Sequence, residues 1–361
     1  VGLYNVTIDR INLPIVWKEN IEVASKTFGI DFGTNTIKVY RKDEGIILHE
    51  HNIIAVENRK KVLAVGDDAY EMYEKAPVNI QVTHPIRNGV ISDIANMQAL
   101  LTSIMKKVNG GRNVSSTFYL AVPTDITEVE RKSFYDTVLA SNAKVKDISI
   151  VEKSIADALG IGLDITTARG AMVINIGADT TEVSIISLGG IVLSKLINVG
   201  GNKLDESIKL YVKKKYNLTI GSKTAEIIKK SLACAYPSTM ESVKVYGRNV
   251  VNGLPTEMDI NSEMVYDSIK EYLYTIIDAI KVILERTPPE ISSDIIESGI
   301  YISGGSANIR RLDELIEQET ELKVNICSKP ESTVVEGLGR IMEDPSYRTL
   351  AYNIKQTTRR R

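Results

Sequence analysis

Three short stretches of this chain share one kind of chemistry: an apolar run ends in glycine, and hydroxyl or amide residues follow. Gly33-Thr34-Asn35-Thr36 follows Gly29-Ile30-Asp31-Phe32, and Gly177-Ala178-Asp179-Thr180 follows Val173-Ile174-Asn175-Ile176. Gly304-Gly305-Ser306-Ala307 follows Gly299-Ile300-Tyr301-Ile302-Ser303. Such turns aim backbone N–H groups and hydroxyls at one point in space, which suits a phosphate group. A single turn of this type is most simply a connection between two core strands. Three of them ending strands and converging would line a nucleotide cleft between two domains.

The elements that must position these turns are legible as alternating strand and helix runs. Gly29 to Tyr40, Gly45 to Leu48 and Val62 to Val65 read as strands, and a short helix follows at Ala69 to Lys75. Ser92 or Asp93 is placed to cap a helix whose apolar residues Ile94, Met97, Leu101, Ile104 and Val108 recur at helical spacing. Ser116 to Val122 is a buried-type strand stopped by Pro123, Thr127 opens the next helix, and Ile148 to Glu152 is the next strand. A short helix, Ser154 to Ile161, precedes the strand–turn–strand of Val173 to Ser187. Helices follow at Leu204 to Val212 and at Lys223 to Ala235, the latter stopped at Pro237, and residues 238–262 read as a β excursion. Val265 to Arg286 is a long amphipathic helix, and Ile309 to Ile316 is a helix after the third glycine turn. The strand-and-helix series occurs twice, from Gly29 and again from Met172, which predicts an α/β chain of two similar halves.

Composition narrows the function classes. With 361 residues the chain is long enough for two separate cores. A formal charge of -2 gives no general pull toward nucleic acid. Cys234 and Cys327 lie far apart and only His49, His51 and His84 accompany them, so no metal cage is expected and a reducing cytoplasm fits better than secretion. No stretch approaches the ~18 apolar residues of a spanning helix, and no signal peptide is evident. Residues 1–28 do not share the pattern of the rest; they read as an appended strand or arm, with membrane contact through Trp17 as the sharper alternative. Lys213-Lys214-Lys215 reads as the wet end of a helix, and Lys355 with Arg359-Arg360-Arg361 as a solvated basic tail.

From Phe28 to about Met342 the chain resembles the MreB/Mbl family of bacterial actin homologues, the rod shape-determining proteins. The resemblance rests on GIDFGT, HPIRNGVISD, AVPTDITEVER, TTEVSIISLGGIV, VGGNKLDESI, GRNVVNGLP and ISGGSANIRRLDELI, in that order and spacing. It implies an α/β, actin-like (duplicated ribonuclease H-like) two-domain fold around an interdomain nucleotide cleft. Domain I would span 29–158, with 330–361 returning to it, and domain II 159–329, with a smaller subdomain at about 198–274. It also implies head-to-tail filaments on the inner face of the cell membrane. The partners would be further copies of the chain, other MreB-type actins and the cell-wall elongation machinery, with no nucleic acid among them.

Carried over by position, Thr34, Asn35 and Thr36 would sit at the first phosphate turn and Gly177, Ala178, Asp179 and Thr180 at the second, around the β- and γ-phosphates of ATP. Glu226 and Lys229 would hold ribose and base edge from one helix face. Gly304, Gly305, Ser306 and Ala307 would close over the adenosine, and Asp31 would hold Mg²⁺ through water.

The departures from the family pattern fall on the chemistry. Where the family has Asp-Ile-Gly-Gly-Gly-Thr-Thr, this chain reads Asn175-Ile176-Gly177-Ala178-Asp179-Thr180-Thr181. A metal-side carboxylate is lost and a new one enters the turn facing phosphate, which weakens affinity unless a cation offsets it. Where the family has Glu-Glu-Pro or Asp-Glu-Pro, this chain has Glu152-Lys153-Ser154, and a charged Lys153 cannot accept a proton from the attacking water. Thr180, the hydroxyl partner, remains, so hydrolysis is expected to be weak or absent unless Glu152 or Asp179 substitutes. Ile37 stands where the family has a hydroxyl, unless the turn has slipped by one residue, and Val114-Ser115 stands where relatives carry an apolar pair that inserts in membrane. Three functions follow: a filament whose nucleotide site sets polymerisation with little turnover, an active ATPase filament, or a non-polymerising pseudo-actin that regulates true filaments. Pelleting with ATP and phosphate release separate them.

Overall fold

The computed structural model describes residues 25–112, 114–141, 143–237 and 241–354. The first half opens with a three-strand meander, β1 (Lys26–Phe32), β2 (Thr36–Arg41) and β3 (Gly45–His51). A small outlying sheet follows: β4 (Ile54–Glu57), β5 (Lys61–Val65), α1 (Asp67–Met72) and β6 (Ile80–Thr83), then the short pair β7 (Ile86–Arg87) and β8 (Val90–Ile91). The chain returns through α2 (Ile94–Val108), β9 (Ser115–Val122), α3 (Glu128–Leu139), β10 (Lys144–Glu152) and α4 (Lys153–Ile161). Of the two candidate caps, Asp93 serves α2, accepting from the Asn96 N–H at 3.0 Å. The helix buries Met97, Leu101 and Ile104 as its spacing predicts, but Ile94 in the first turn faces solvent. Thr127 and Glu130 form a reciprocal capping box on α3.

The second half repeats the plan: β11 (Ala171–Ile176), β12 (Thr181–Ser187) and β13 (Gly190–Ile197) form its meander. Next come α5 (Gly201–Tyr216), β14 (Leu218–Thr219), α6 (Ser222–Leu232), β15 (Ser242–Asn249) and β16 (Pro255–Asn261), so the β excursion is a hairpin built on β14. Then come α7 (Ser262–Arg286), α8 (Pro289–Ser298), β17 (Ile300–Ser303), a 3₁₀ turn at Gly305–Asn308, α9 (Leu312–Thr320), β18 (Val324–Ile326) and α10 (Thr333–Glu343). The helix expected from Ile309 begins only at Leu312, because Arg311 adopts a left-handed φ of 59° that separates it from the 3₁₀ turn.

Two five-stranded sheets therefore have one topology. In the first the order is β10-β9-β1-β2-β3 and in the second β18-β17-β11-β12-β13, with the meander antiparallel and the two added strands parallel to the first. Each sheet has its own core: Phe28, Ile30, Phe118 and Phe134 are fully buried in one, and Ile174, Val183, Ile269 and Ile302 in the other. Each such side chain contributes roughly 1.5–3 kcal/mol by leaving water.

A third core lies between the sheets, made by α4 and α10, the helices that follow the fifth strand of each half. They cross so closely that a Cβ on Gly160 would run into the Thr333 carbonyl and one on Gly337 into the Ala156 carbonyl. Only glycine permits this approach, which sets the first turn of each helix against a later turn of the other. The chain end then returns to the first sheet, where Tyr352 exchanges backbone hydrogen bonds with Ile150 of β10.

Candidate functional site

The three glycine turns come together. Thr34, Thr180 and Gly305 line a single cavity of about 480 Å³ at the carboxyl ends of the central strands, between the two halves. Asp31, Asn35, Thr36, Gly177, Ala178, Glu226, Lys229, Gly304 and Ser306 line it as well. Two of the site residues singled out in the sequence do not: Ala307 is buried within the 3₁₀ turn, and Asp179 faces a neighbouring hollow.

The turns are held by their own backbone. The Gly177 N–H donates to the Thr180 carbonyl at 2.8 Å, and the first amides of α5, Gly201 and Asn202, donate to the Gly177 and Ala178 carbonyls at 3.0 and 2.7 Å. Ser306 Oγ donates to the Gly177 carbonyl at 3.1 Å, so the third turn is hydrogen-bonded to the second. Gly304 has φ 83° and packs against the backbone of Ile176, where a side chain would collide. In the first turn Asn52 Nδ2 donates to the Gly33 carbonyl at 2.8 Å. Ile37 is fully buried in the core, and the hydroxyls reaching the cavity are those of Thr34 and Thr36.

Asp179 was expected to bring a negative charge to bear on phosphate. Its carboxylate instead accepts from the Asn88 N–H at 2.8 Å and from Asn202 Nδ2 at 2.7 Å, and so turns out of the cavity. Asn202 also exchanges hydrogen bonds with Asn35 at 3.0 Å, linking the first and second turns across the cleft.

Charge in the cavity is arranged by residues that no local motif marks. Lys38, opposite Asp31 in the β1–β2 ladder, sends Nζ to Asp31 Oδ2 at 3.4 Å and to Thr36 Oγ1 at 3.0 Å. Burial of the nearby His49 imidazole, and after it the charge of Lys38, hold that ring below its ordinary value. Asp157 of α4 is fully buried beneath the cavity and receives Asn175 Nδ2 at 3.0 Å together with the hydroxyls of Ser303 and Thr333. Burial pushes its carboxyl up against the pull of those donors. Glu182, opposite Asn175 in the β11–β12 ladder, accepts from the Thr124 N–H at 3.0 Å and from Ser154 Oγ at 2.8 Å.

Lys153, the first residue of α4, lines the cavity with Thr180. Its neighbour Glu152 does not reach the cavity lining; it is held by Arg131 and by the Tyr352 hydroxyl at 2.9 Å. Burial raises the Glu152 carboxyl despite the Arg131 guanidinium.

Glu226 and Lys229 lie on one face of α6 and both line the cavity. Lys229 is pinned to Asp205 Oδ2 at 2.7 Å and to the Gly201 carbonyl at 2.9 Å. Glu226 accepts from the Tyr70 hydroxyl at 3.0 Å and pairs with Lys230 at 2.7 Å. Burial pulls its carboxyl up, but Lys230 and Tyr70 outweigh that and bring it below the ordinary carboxylate value. Across the outer mouth, Glu74 accepts from the Ser222 N–H with both carboxylate oxygens, at 2.9 and 2.8 Å, and Lys223 sits over the Tyr70 ring at 4.2 Å.

Val114 and Ser115 are half-buried at the start of β9, no helix among the described residues is long and apolar enough to cross a membrane, and Trp17 and the basic tail lie outside those residues.

The chain is similar to known proteins over nearly all of this architecture. The MreB/Mbl protein family matches residues 25–349. The cell shape-determining protein MreB of Escherichia coli (strain K12) is 36% identical over 327 residues, 88% of this chain and 94% of that one. Among solved structures, MreB5 of Spiroplasma citri bound to ADP superposes with a TM-score of 0.83 at 33% identity, over 88% of this chain and 96% of that one. A MamK double helical filament superposes with a TM-score of 0.75 over 89% of this chain and 99% of that one, and at 20% identity shows likeness of fold alone.

Proposed function

The chain belongs to the MreB/Mbl family, and from that premise we propose that it is an actin-like cytoskeletal protein that binds ATP, assembles with copies of itself into filaments, and hydrolyses the nucleotide weakly or not at all. The filaments work at the inner face of the cell membrane in determining cell shape, beside other MreB-type actins and the cell-wall elongation machinery. Nucleotide binding is supported by the cavity that the three turns enclose and by the ADP and AMPPNP bound in the structures of the Spiroplasma citri relative. ATP would lie with its phosphates between Thr34 and Thr180, its ribose near Glu226 and Lys229, and its base against Gly304 and Gly305.

The observation that carries the reading of slow turnover is Lys153 lining the cavity beside Thr180. A general base must accept a proton from the attacking water, and an ammonium has no lone pair to do so. The carboxylates next to Lys153 and Thr180 in sequence are engaged elsewhere, Glu152 by Arg131 and Tyr352, and Asp179 by Asn88 and Asn202, and Glu182, which also lines the cavity, has one oxygen held by Thr124 and Ser154.

The test measures sedimentation and phosphate release in one tube after ATP is added. Polymer without phosphate supports the proposal; phosphate released along with polymer points to an active ATPase, and neither to a regulatory pseudo-actin. Lys153→Glu should raise phosphate release by a factor on the order of a hundred to a thousand, the lower end of what general bases supply. A folded variant that binds ATP and shows no rise would remove Lys153 from the explanation.

A further inference from the structure

Resting on the nucleotide reading above, we propose that Asp157 is a positioning residue: it fixes the Asn175 side chain with its carbonyl oxygen toward the cavity, so that the second half offers an acceptor to the hydrated divalent cation that accompanies ATP and no donor to the phosphates themselves. Asp157 is a fully buried carboxylate on α4 that does not itself line the cavity. Ser303 of β17 and Thr333 of α10 donate their hydroxyls to it, and Asn175 of β11 donates from Nδ2 to its Oδ2 at 3.0 Å. Asn175 Nδ2 also donates to Ser303 Oγ at 3.0 Å.

These contacts leave the amide one orientation. An ionised carboxylate only accepts, and Ser303, having given its proton to Asp157, accepts as well. Both N–H donors of Asn175 are thereby used, and turning the amide over would set its oxygen against two acceptors. Oδ1 is left free: among the described residues it accepts no hydrogen bond, and it lies 3.8 Å from where a Cβ on Gly177 would stand, in the turn that lines the cavity with Asn175. A carbonyl oxygen repels a bare phosphate oxygen, which is also an acceptor, but it accepts from water held on a cation. The oxygens nearby fit such an ion. Asp31 Oδ1 and Glu182 Oε2, on residues that line the same cavity, accept no hydrogen bond among the described residues, and Mg²⁺ takes oxygen ligands while keeping several waters. Where the family has a carboxylate on this strand, the chain keeps a carboxylate one side chain deeper and presents a neutral oxygen in its place.

The experiment is calorimetric titration of the full chain with ATP, once in excess MgCl₂ and once in excess EDTA, and the quantity read is the ratio of the two affinities. The unmodified chain should bind at least about fivefold more tightly in MgCl₂, the worth of roughly one hydrogen bond, and a smaller preference overturns the proposal. In Asp157→Asn the carboxylate that only accepts is gone, the Asn175 amide is free to turn, and the preference should shrink by about threefold or more. A folded Asp157→Asn protein with a smaller change overturns the proposal, because a residue that only supports the fold would alter the melting temperature and leave the ratio alone. The double variant Asp157→Asn/Asn175→Asp keeps the test open should the single one fail to fold: the amide on α4 can donate to the carboxylate on β11, and an oxygen again faces the cavity. Its preference for MgCl₂ should equal or exceed that of the unmodified chain, and a weaker one overturns the proposal. ATP failing to bind the unmodified chain in either buffer overturns the nucleotide reading itself, a different result from a change in the ratio.

Discussion

The two halves of the molecule repeat one sheet and solve the same local problem in opposite ways. In each, the first strand ends in a polar and an apolar residue and glycine follows: Asp31-Phe32-Gly33 and Asn175-Ile176-Gly177. In each, the polar residue faces a charged one across the hairpin ladder, Asp31 opposite Lys38 and Asn175 opposite Glu182. The first half neutralises its acid within the hairpin. The second sends its polar groups outward, Asn175 to Asp157 on α4 and Glu182 to Thr124 and Ser154 of the other half. The two halves thus have equivalent positions, and the side chains placed on them decide which half pairs its charge within the hairpin and which half joins the two together.

The strongest way to break that division is at the crossing of α4 and α10. Gly337→Ala places a Cβ on the Ala156 carbonyl, and both partners are backbone, so no side chain can give way. The expected loss is about 3 kcal/mol or more, at the upper end of overpacking costs, read as a lower urea midpoint. A loss under about 1 kcal/mol would mean that the helices can separate freely.

Asn175→Asp makes the second half resemble the first in sequence without giving it a lysine. The new carboxylate would lie against Asp157, which its amide now serves as a donor. Leaving buried charges unpaired costs about 2–3 kcal/mol at neutral pH. The sign with pH follows from burial. Two adjacent buried carboxyls hold a proton at higher pH folded than unfolded, so the folded state gains protons first on acidification. The deficit should shrink as pH falls from neutral toward the carboxylate range. Thermal melts from pH 7.5 to 5 test this, and a deficit that stays constant would show that the two carboxyls are not coupled.

The same contrast explains what could be read from the sequence. The turns were legible because glycine and hydroxyl residues sit side by side in the chain, and the two-half plan because strand and helix runs repeat in order. Lys38, Asp157 and Glu182 were not, since their roles depend on cross-strand register and on the α4–α10 crossing. The one available signal for Lys38 was a lone charge inside the apolar run Ile37-Lys38-Val39. Asp179 reads as facing phosphate from its place in the turn alone. Its actual direction is set by Asn88, 91 residues earlier, and by Asn202 at the start of α5. Local pattern located the backbone of the site, and long-range hydrogen bonds aimed its side chains.

The smallest expected effect sharpens the comparison at the outer mouth, where the halves meet through polar contacts and not through a packed core. Glu74 from the first half accepts from Ser222 at the start of α6 in the second, and a carboxylate at a helix N-terminus gains from the amides exposed there. Burial pushes the Glu74 carboxyl up, but the Ser222 N–H and hydroxyl outweigh it and lower it overall. The contact therefore contributes fully above the ordinary carboxylate range and fades as pH falls through the lowered value. Because Glu74 is exposed, Glu74→Gln should change global stability by less than about 0.5 kcal/mol. If the mouth must part for nucleotide to leave, the same substitution should speed ATP release about two- to threefold, since a few tenths of a kcal/mol off that barrier suffices. Release measured by chasing a fluorescent ATP analogue decides the point: an unchanged rate would place the exit elsewhere.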